Sequence, residues 1–362
     1  MGLFSNVLKD DESVFMDDVA LDYDYMPKLM PYREQEQFKI AACIKPLFAE
    51  RNGKNIFVYG KPGIGKTLAI KHILKELEEE TDDIIPLYVN CWQKNTTYKV
   101  LLELCDLLGY RFTQNKKTEE LFKIVQDIVN KKSAVFVFDE VDKSEELDVL
   151  YTLSEQIYRK SLIMITNFST WMDNMDVRVR SRITPELIEF KPYNAEETKG
   201  ILQHRVKYAF QPNVWEENAF SRVVAKTCQL QDIRSGLYLL RESGNAAEDR
   251  SSRKIEDKDV DVAEKKLESF SIKKSTDLDD ESQQILDLVR EKTGVDSGER
   301  IGELFKEYQV KGGKLTYKTF QRKIDRLSKS KFINTEKIPG GKDGKTTIIK
   351  TGVVDKKLDE FK

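Results

Sequence analysis

Two hydrophobic periodicities organise this chain. Between residues 55 and 193, uninterrupted apolar runs alternate with stretches whose apolar residues recur every three or four positions. The runs are "NIFVYG" (55–60), "IIPLYVNCW" (84–92), "AVFVFDEVD" (134–142), "LIMITN" (162–167) and a short final one within "ELIEFKPY" (186–193). A short run with no polar alternation reads as a strand covered on both faces. Helical spacing marks the stretch from Arg33 to Phe48, then "KTLAIKHILKEL" (66–77), "TYKVLLELCDLLGYRF" (97–112) and "TEELFKIVQDIVNKK" (118–132). Strands alternating with helices predict an α/β domain around a parallel sheet.

After Pro192 the strand pattern stops, and residues 194–270 read as helices. "NAEE" (194–197) is a capping-box start. The polar stretch "GNAAEDRSSRKIEDKD" (244–259) is expected to separate two of these helices, and "KKSTDLDD" (273–280) reads as a linker or helix start. Beyond it come two helices, a basic helix, and two short strands around "PGGKDGK" (339–345). The expected divisions are an α/β domain with an acidic, extended lead-in over 1–190, a helical lid over 191–272, a small domain over 278–352, and a disordered tail over 353–362.

Charge changes this picture only through its distribution. The whole chain of 362 residues carries a formal net charge of −2, which names no partner. Residues 1–30 hold two lysines against seven acids, whereas residues 311–350 hold twelve Lys or Arg against three acids, a net +9. Such a basic C-terminal region suits an anionic partner such as nucleic acid, or else is a solvated charged face. The four cysteines (Cys43, Cys91, Cys105, Cys228) are far apart, and the two histidines, His72 and His204, form no zinc pattern with them. Reduced, buried thiols are expected. No run approaches the roughly 20 apolar residues of a membrane span, and the N-terminus lacks a signal-peptide core. The expectation is a cytoplasmic protein.

"GKPGIGKT" (60–67) fits G-x-x-x-x-G-K-(S/T), with an expected strand before it and helix after it. Glycines let backbone N–H groups wrap phosphates, and the helix N-terminus adds a favourable field. Lys66 should reach the β- and γ-phosphates of ATP or ADP, and Thr67 should coordinate Mg2+. Gly60, Pro62, Gly63, Ile64, Gly65 and Leu68 complete the expected nucleotide-binding stretch. Asp139, at the end of a buried strand, is the expected second Mg2+ ligand, direct or through water. Glu140 beside it is placed to deprotonate an attacking water. Asn167, closing the next strand, is either a turn residue or a contact to the γ-phosphate or the water. "DVRVRSRI" (176–183) is a basic turn or a source of guanidinium for a phosphoryl group.

These motifs together resemble those of the AAA+ ATPases: Walker A at 60–67, Walker B at 139–140, a sensor-1 Asn167, a helical lid, and a sensor-2 Arg234 in "DIRSGLYLLR" (232–241). The resemblance implies that Arg234 faces the γ-phosphate. It also implies an arginine finger reaching a neighbour's nucleotide, Arg182 as first choice and Arg178 as second. "DYMPKLMPYREQEQFKIAACIKPLF" (24–48) narrows the resemblance to archaeal replication initiators, relatives of the origin-recognition subunits and the cell-division-cycle helicase loader. There the matching residues are Pro27, Leu29 or Met30, Arg33, Glu34 and Gln37, and the segment sits beside the adenine. "VNCWQKNTTYKVLLELCDLLG" (89–109) is similar to the initiators' helical insert, which implies DNA contacts from Thr96, Thr97, Tyr98 and Lys99; on its own spacing it is an amphipathic helix with Val100, Leu101, Leu104, Leu107 and Leu108 inside. Gln231 stands where the family commonly has Gly.

In "LTYKTFQRKIDRLSKSKFI" (315–333), Tyr317, Phe320, Ile324 and Leu327 form an apolar stripe, and Lys318, Thr319, Arg322, Arg326 and Lys329 lie off it. Such a helix, following two others, is what a helix-turn-helix presents to the major groove. Lys342 and Lys345 on the Gly-rich tip would make a wing. The expected whole is an AAA+ core with helical lid followed by a winged helix, a slow ATPase that binds double-stranded origin DNA in the nucleoid and recruits the replicative helicase, with other initiator subunits as further partners. A Holliday-junction type motor, or an ATP-gated regulator or scaffold, shares the same motifs.

Overall fold

The computed structural model describes residues 13–27, 30–276, 280–293, 298–313, 315–329, 333–338 and 346–351. They divide into two units, Met1–Leu267 and Glu268–Lys362. No helix among the described residues is long and apolar enough to cross a membrane.

In the first unit, five parallel strands form one sheet: β1 (Ile56–Tyr59), β2 (Ile84–Asn90), β3 (Ser133–Asp139), β4 (Lys160–Thr166) and β5 (Glu186–Glu189), in the order β2-β3-β4-β1-β5. Every residue of β3 is buried. That is why its sequence shows no alternation. The helices α1 (Glu34–Ile44), α2 (Lys66–Glu80), α3 (Thr97–Leu107), α4 (Thr118–Val129), α5 (Asp148–Gln156) and α6 (Val177–Ile183) intervene. One apolar layer joins α2 to the Ile56, Val58, Val135, Val137 and Ile163 face. The other joins α3, α4 and α5 to Phe57, Phe136, Phe138 and Met164. Truncating Phe136, fully buried in β3, is expected to cost about 3–5 kcal/mol in a denaturant titration.

Three differences from the sequence expectation have physical causes. Within α3, Cys105 fills the inner position with Leu104 and Leu101, and Leu107, the last residue of the helix, is 47% exposed at the edge of that face. Residues 176–183 are a helix and not a basic turn: Asp176 caps it by accepting from Arg178 N at 2.8 Å, and Val179 and Ile183 anchor it. The lead-in from Ser13 is folded rather than extended. Val14, Ala20 and Leu21 are buried among lid residues, and Arg205 donates to Ala20 O (3.1 Å) and Tyr25 O (3.2 Å).

The lid comprises α7 (Ala195–Ala209), α8 (Glu217–Leu230), α9 (Ile233–Asp249) and the start of α10 (Asp257–Thr276). The capping box is reciprocal: Asn194 Oδ1 accepts from Glu197 N, and Glu197 Oε2 accepts from Asn194 N, both at 2.9 Å. Gln231 closes α8 in the left-handed region (φ 54), the conformation that favours Gly there. The polar stretch 244–259 separates α9 from α10 as expected, but only through residues 250–256; α9 runs on to Asp249, and Gly244 leaves room for the Phe15 ring, whose Cζ lies 2.3 Å from where a Cβ would stand.

The second unit, by itself, contains α11 (Asp280–Lys292), β6 (Glu299–Arg300), α12 (Ile301–Val310), α13 (Tyr317–Lys329), β7 (Ile333–Ile338) and β8 (Thr346–Thr351). Its three strands pair antiparallel in the order β6-β8-β7. β6 is two residues long and carries no periodicity to read. Phe320, Ile324 and Leu327 of α13 join a core with Ile285, Val289 and Leu304. Tyr317 departs from the expected stripe: it is 40% exposed and packs edge-on against Phe305 at 5.1 Å. The expected wing tip, with Lys342 and Lys345, and the tail from 353 lie outside the described residues.

Candidate functional site

The first βα connection makes the floor of a cleft of about 500 Å³ at the C-terminal edge of the sheet. β1 ends at Tyr59 and α2 begins at Lys66; between them Gly63 (φ 74) and Gly65 (φ 87) take left-handed conformations that other residues adopt only with strain. Gly63 also faces the lid: a Cβ there would come within 1.9 Å of Asp232 Oδ1, and its carbonyl accepts from Ile233 N at 3.1 Å. Gly63→Ala is therefore expected to weaken nucleotide binding at least tenfold in a fluorescent-ADP titration, since the loop or the lid must shift. Lys66 is buried, and its ammonium donates to Gly60 O (2.8 Å), Lys61 O (2.7 Å) and Asn167 Oδ1 (2.7 Å). Burial holds its pKa down to about 8, with Arg234 adding to the effect and Asp139 opposing it.

Asp139 ends β3 at the base of the same cleft. Its Oδ2 accepts from Thr67 Oγ1 and from the Tyr88 hydroxyl, each at 2.7 Å, and its Oδ1 accepts from Glu140 N at 2.9 Å. A hydroxyl and a carboxylate side by side are the hard oxygen donors that suit Mg2+, which keeps much of its water and takes few protein ligands. Thr67 and Asp139 thus fit the ion. Glu140 follows in the left-handed region (φ 51), and its carboxyl pKa is raised by burial first and then by Asp139 and Asp142. That direction makes it a stronger base. Asp142 is held by the Thr166 hydroxyl at 2.8 Å, which ties the acidic turn to the end of β4 just before Asn167.

Pro27, Met30 and Pro31 from the lead-in line the cleft, as do Tyr193, Ile201 and His204 at the lid. This apolar end suits a nucleobase. Arg234 lines it from α9, 51% exposed, with its Nε 3.4 Å from Asp232 Oδ1. Pro62, Gly63, Gly65, Lys66, Thr67 and Leu68 all contribute to the wall.

Several expected residues stand elsewhere. Gly60 and Ile64 do not line the cleft; Gly60 supplies a carbonyl to Lys66, and the side chain of Ile64 is buried beneath the loop. Arg33 does not reach it either. Its guanidinium donates to Ile64 O (3.1 Å) and Lys191 O (2.7 Å), pairs with Glu36 (2.9 Å), and lies 3.9 Å from the Tyr193 ring centroid. Arg33 braces the phosphate loop through these partners. Arg178 and Arg182, on α6, are exposed and outside the cleft; Arg182 pairs with Glu155 of α5, while no ion pair engages Arg178 among the described residues. The chain's own α6 thus leaves its own cleft without an added guanidinium. Tyr88 and Asn90, both in the cleft wall from β2, were not legible as site residues, since no motif spacing marks a strand that is merely the neighbour of β3.

At the insert, Thr96 caps α3, accepting from Lys99 N at 3.4 Å, and Thr97 N donates to Glu146 Oε2 at 3.1 Å. Tyr98 and Lys99 are exposed, with Lys99 Nζ 2.8 Å from Asn95 Oδ1. On α13, Lys318 and Arg322 are exposed at i and i+4, one helical face, and Thr319 Oγ1 lies 2.9 Å from Thr316 Oγ1. Arg326 belongs to α13, but its side chain lies outside the described set.

Residues 49–169 match the AAA domain family, and residues 199–265 match the Cdc6 AAA+ ATPase-type lid domain. An ORC1-type DNA replication protein 2 of Methanosarcina acetivorans is 28% identical over 361 residues, covering 96% of this chain and 95% of that protein. The Aeropyrum pernix ORC1 protein, solved in complex with DNA, superposes with a TM-score of 0.75 at 23% identity, over 95% of each chain. The ORC2 protein of the same organism, solved as ADPNP and ADP complexes, gives a TM-score of 0.64 at 18% identity over 94% of each.

Proposed function

The chain belongs to the ORC1/Cdc6 family of AAA+ proteins, and on that footing we propose that it is an ATP-dependent initiator of DNA replication. It binds double-stranded origin DNA in the nucleoid, assembles with other initiator subunits, and helps recruit or load the replicative helicase. The observation that carries this reading is the convergence of Lys66, Thr67, Asp139, Glu140, Asn167 and Arg234 on one cleft, in a chain that also presents a basic helix.

ATP enters with its base toward Pro27 and Met30 and its phosphates over the glycine loop. Lys66 then exchanges its carbonyl and amide acceptors for phosphate oxygens. Thr67 and Asp139 would hold Mg2+, which would supply charge neutralisation to the phosphates. Glu140 takes the proton from the attacking water, Asn167 orients that water, and Arg234 senses the γ-phosphate from the lid. Full turnover needs a guanidinium from a second subunit, supplied by α6: Arg182 is the first candidate, and Arg178, which no ion pair engages among the described residues, is the second. Hydrolysis is slow and works as a switch.

A pH dependence follows from Lys66. Its ammonium is charged below about 8, and phosphate oxygens beside it restore the proton above that value. Binding of ADP is expected to take up protons above pH 8 and to weaken as pH rises through it. Calorimetry at pH 8.5 in buffers of different ionisation enthalpy reads that uptake; an enthalpy independent of buffer would contradict it.

The second unit reads as a winged helix, with α13 in the major groove. Arg322→Ala is expected to weaken duplex binding and, where Arg322 contacts phosphate, to lower the salt slope by about one counterion. An unchanged affinity and slope would remove α13 from the interface.

A further inference from the structure

The geometry points to Tyr88 as a positioning residue that fixes the Asp139 carboxylate for Mg2+ through a hydrogen bond from its hydroxyl, a role that rests on the nucleotide-site reading above. Asp139 is 3% exposed and is met by three donors from three elements: Thr67 Oγ1 from α2, the Glu140 amide from the turn after β3, and the Tyr88 hydroxyl from β2. The three differ in what a cation does to them. Thr67 is itself a ligand and must turn a lone pair toward the ion. The Glu140 amide sits in the left-handed turn that also aims the catalytic base, so its bond is tied to the geometry of that turn. Tyr88 alone stands on a strand, in register with Val137 of β3, and coordinates nothing. Its bond to Oδ2 (2.7 Å) therefore restrains the carboxylate whether or not the ion is present. The ring has a second contact besides that bond, the Lys71 ammonium 5.0 Å from its centroid.

Partners that orient a metal ligand typically matter by 10–100-fold in metal affinity. Tyr88→Phe keeps the ring, its packing and the Lys71 contact, and removes the hydroxyl, which donates to Asp139 and also meets Asn90. In the full-length protein with ADP, Mn2+ binding followed by electron paramagnetic resonance is expected to weaken about tenfold in Tyr88→Phe. ADP affinity in EDTA is expected to stay within about twofold of wild type. Mn2+ affinity equal to wild type would overturn the inference. So would an equal loss of ADP affinity with and without metal, which is the signature of a ring that merely packs. Failure of the underlying reading looks different: wild type itself would then bind no ADP, or bind it without regard to the metal.

Discussion

Glu140→Gln is expected to slow ATP turnover by about 10²–10⁴-fold, the usual contribution of a positioned general base, while ADP affinity changes little. Glutamine keeps the size of the side chain and its place in the left-handed turn at φ 51, but it cannot accept the water's proton. The neighbouring carboxylates Asp139 and Asp142 raise the Glu140 pKa, together with the larger effect of burial. The substitution also relieves that repulsion, so the folded state should not suffer. The variant is therefore a trap for the ATP-bound form: it should retain ATP and hold whatever DNA affinity ATP confers. Single-turnover hydrolysis and nucleotide retention after gel filtration read the two quantities separately. A variant that hydrolyses at the wild-type rate would move the base to another group.

Arg33→Ala is expected to cost about 2–4 kcal/mol of stability, because it strands two acceptors and an acid at once. Arg33 is 4% exposed and satisfies Ile64 O in the phosphate loop and Lys191 O after β5, while its plane stacks by Tyr193 and Phe190. Lysine keeps the charge but offers no planar fork to reach both carbonyls, so Arg33→Lys should recover only part of the loss. Since Ile64 lies within the loop that wraps the phosphates, ADP affinity should fall along with the denaturation midpoint. Urea titration and fluorescent-ADP binding on the same preparations check both. Full stability with lost affinity would return Arg33 to a direct contact with nucleotide.

That residue illustrates what was legible in the sequence. The family pattern marked Arg33 as part of the adenine segment, and the segment does line the cleft through Pro27, Met30 and Pro31. Which side chains of a pattern touch a ligand, and which hold the others still, depends on partners 31 and 158 residues away, and spacing carries no record of them. The buried strands were legible because both their faces are covered, and the phosphate loop because its chemistry is local. Tyr88 was not, since its role arises only from the pairing of β2 with β3. The folded lead-in was hidden for a related reason: Val14, Ala20 and Leu21 are too few among acids to signal a core, and the lid supplies the rest of it. α5 escaped notice because nine residues with Val149, Leu150 and Leu153 inside give little more than two turns of pattern.

The central claim is that ATP and the basic helix together direct this chain to particular sites on DNA. Fragments of the host genome, offered at one fixed salt concentration, test it with wild type and with the double variant Arg322→Ala, Arg326→Ala, each with and without ATP and Mg2+. An initiator enriches a few fragments over the rest when ATP is present, and the double variant loses that enrichment. Uniform weak binding, or enrichment that survives the double variant, would contradict the account.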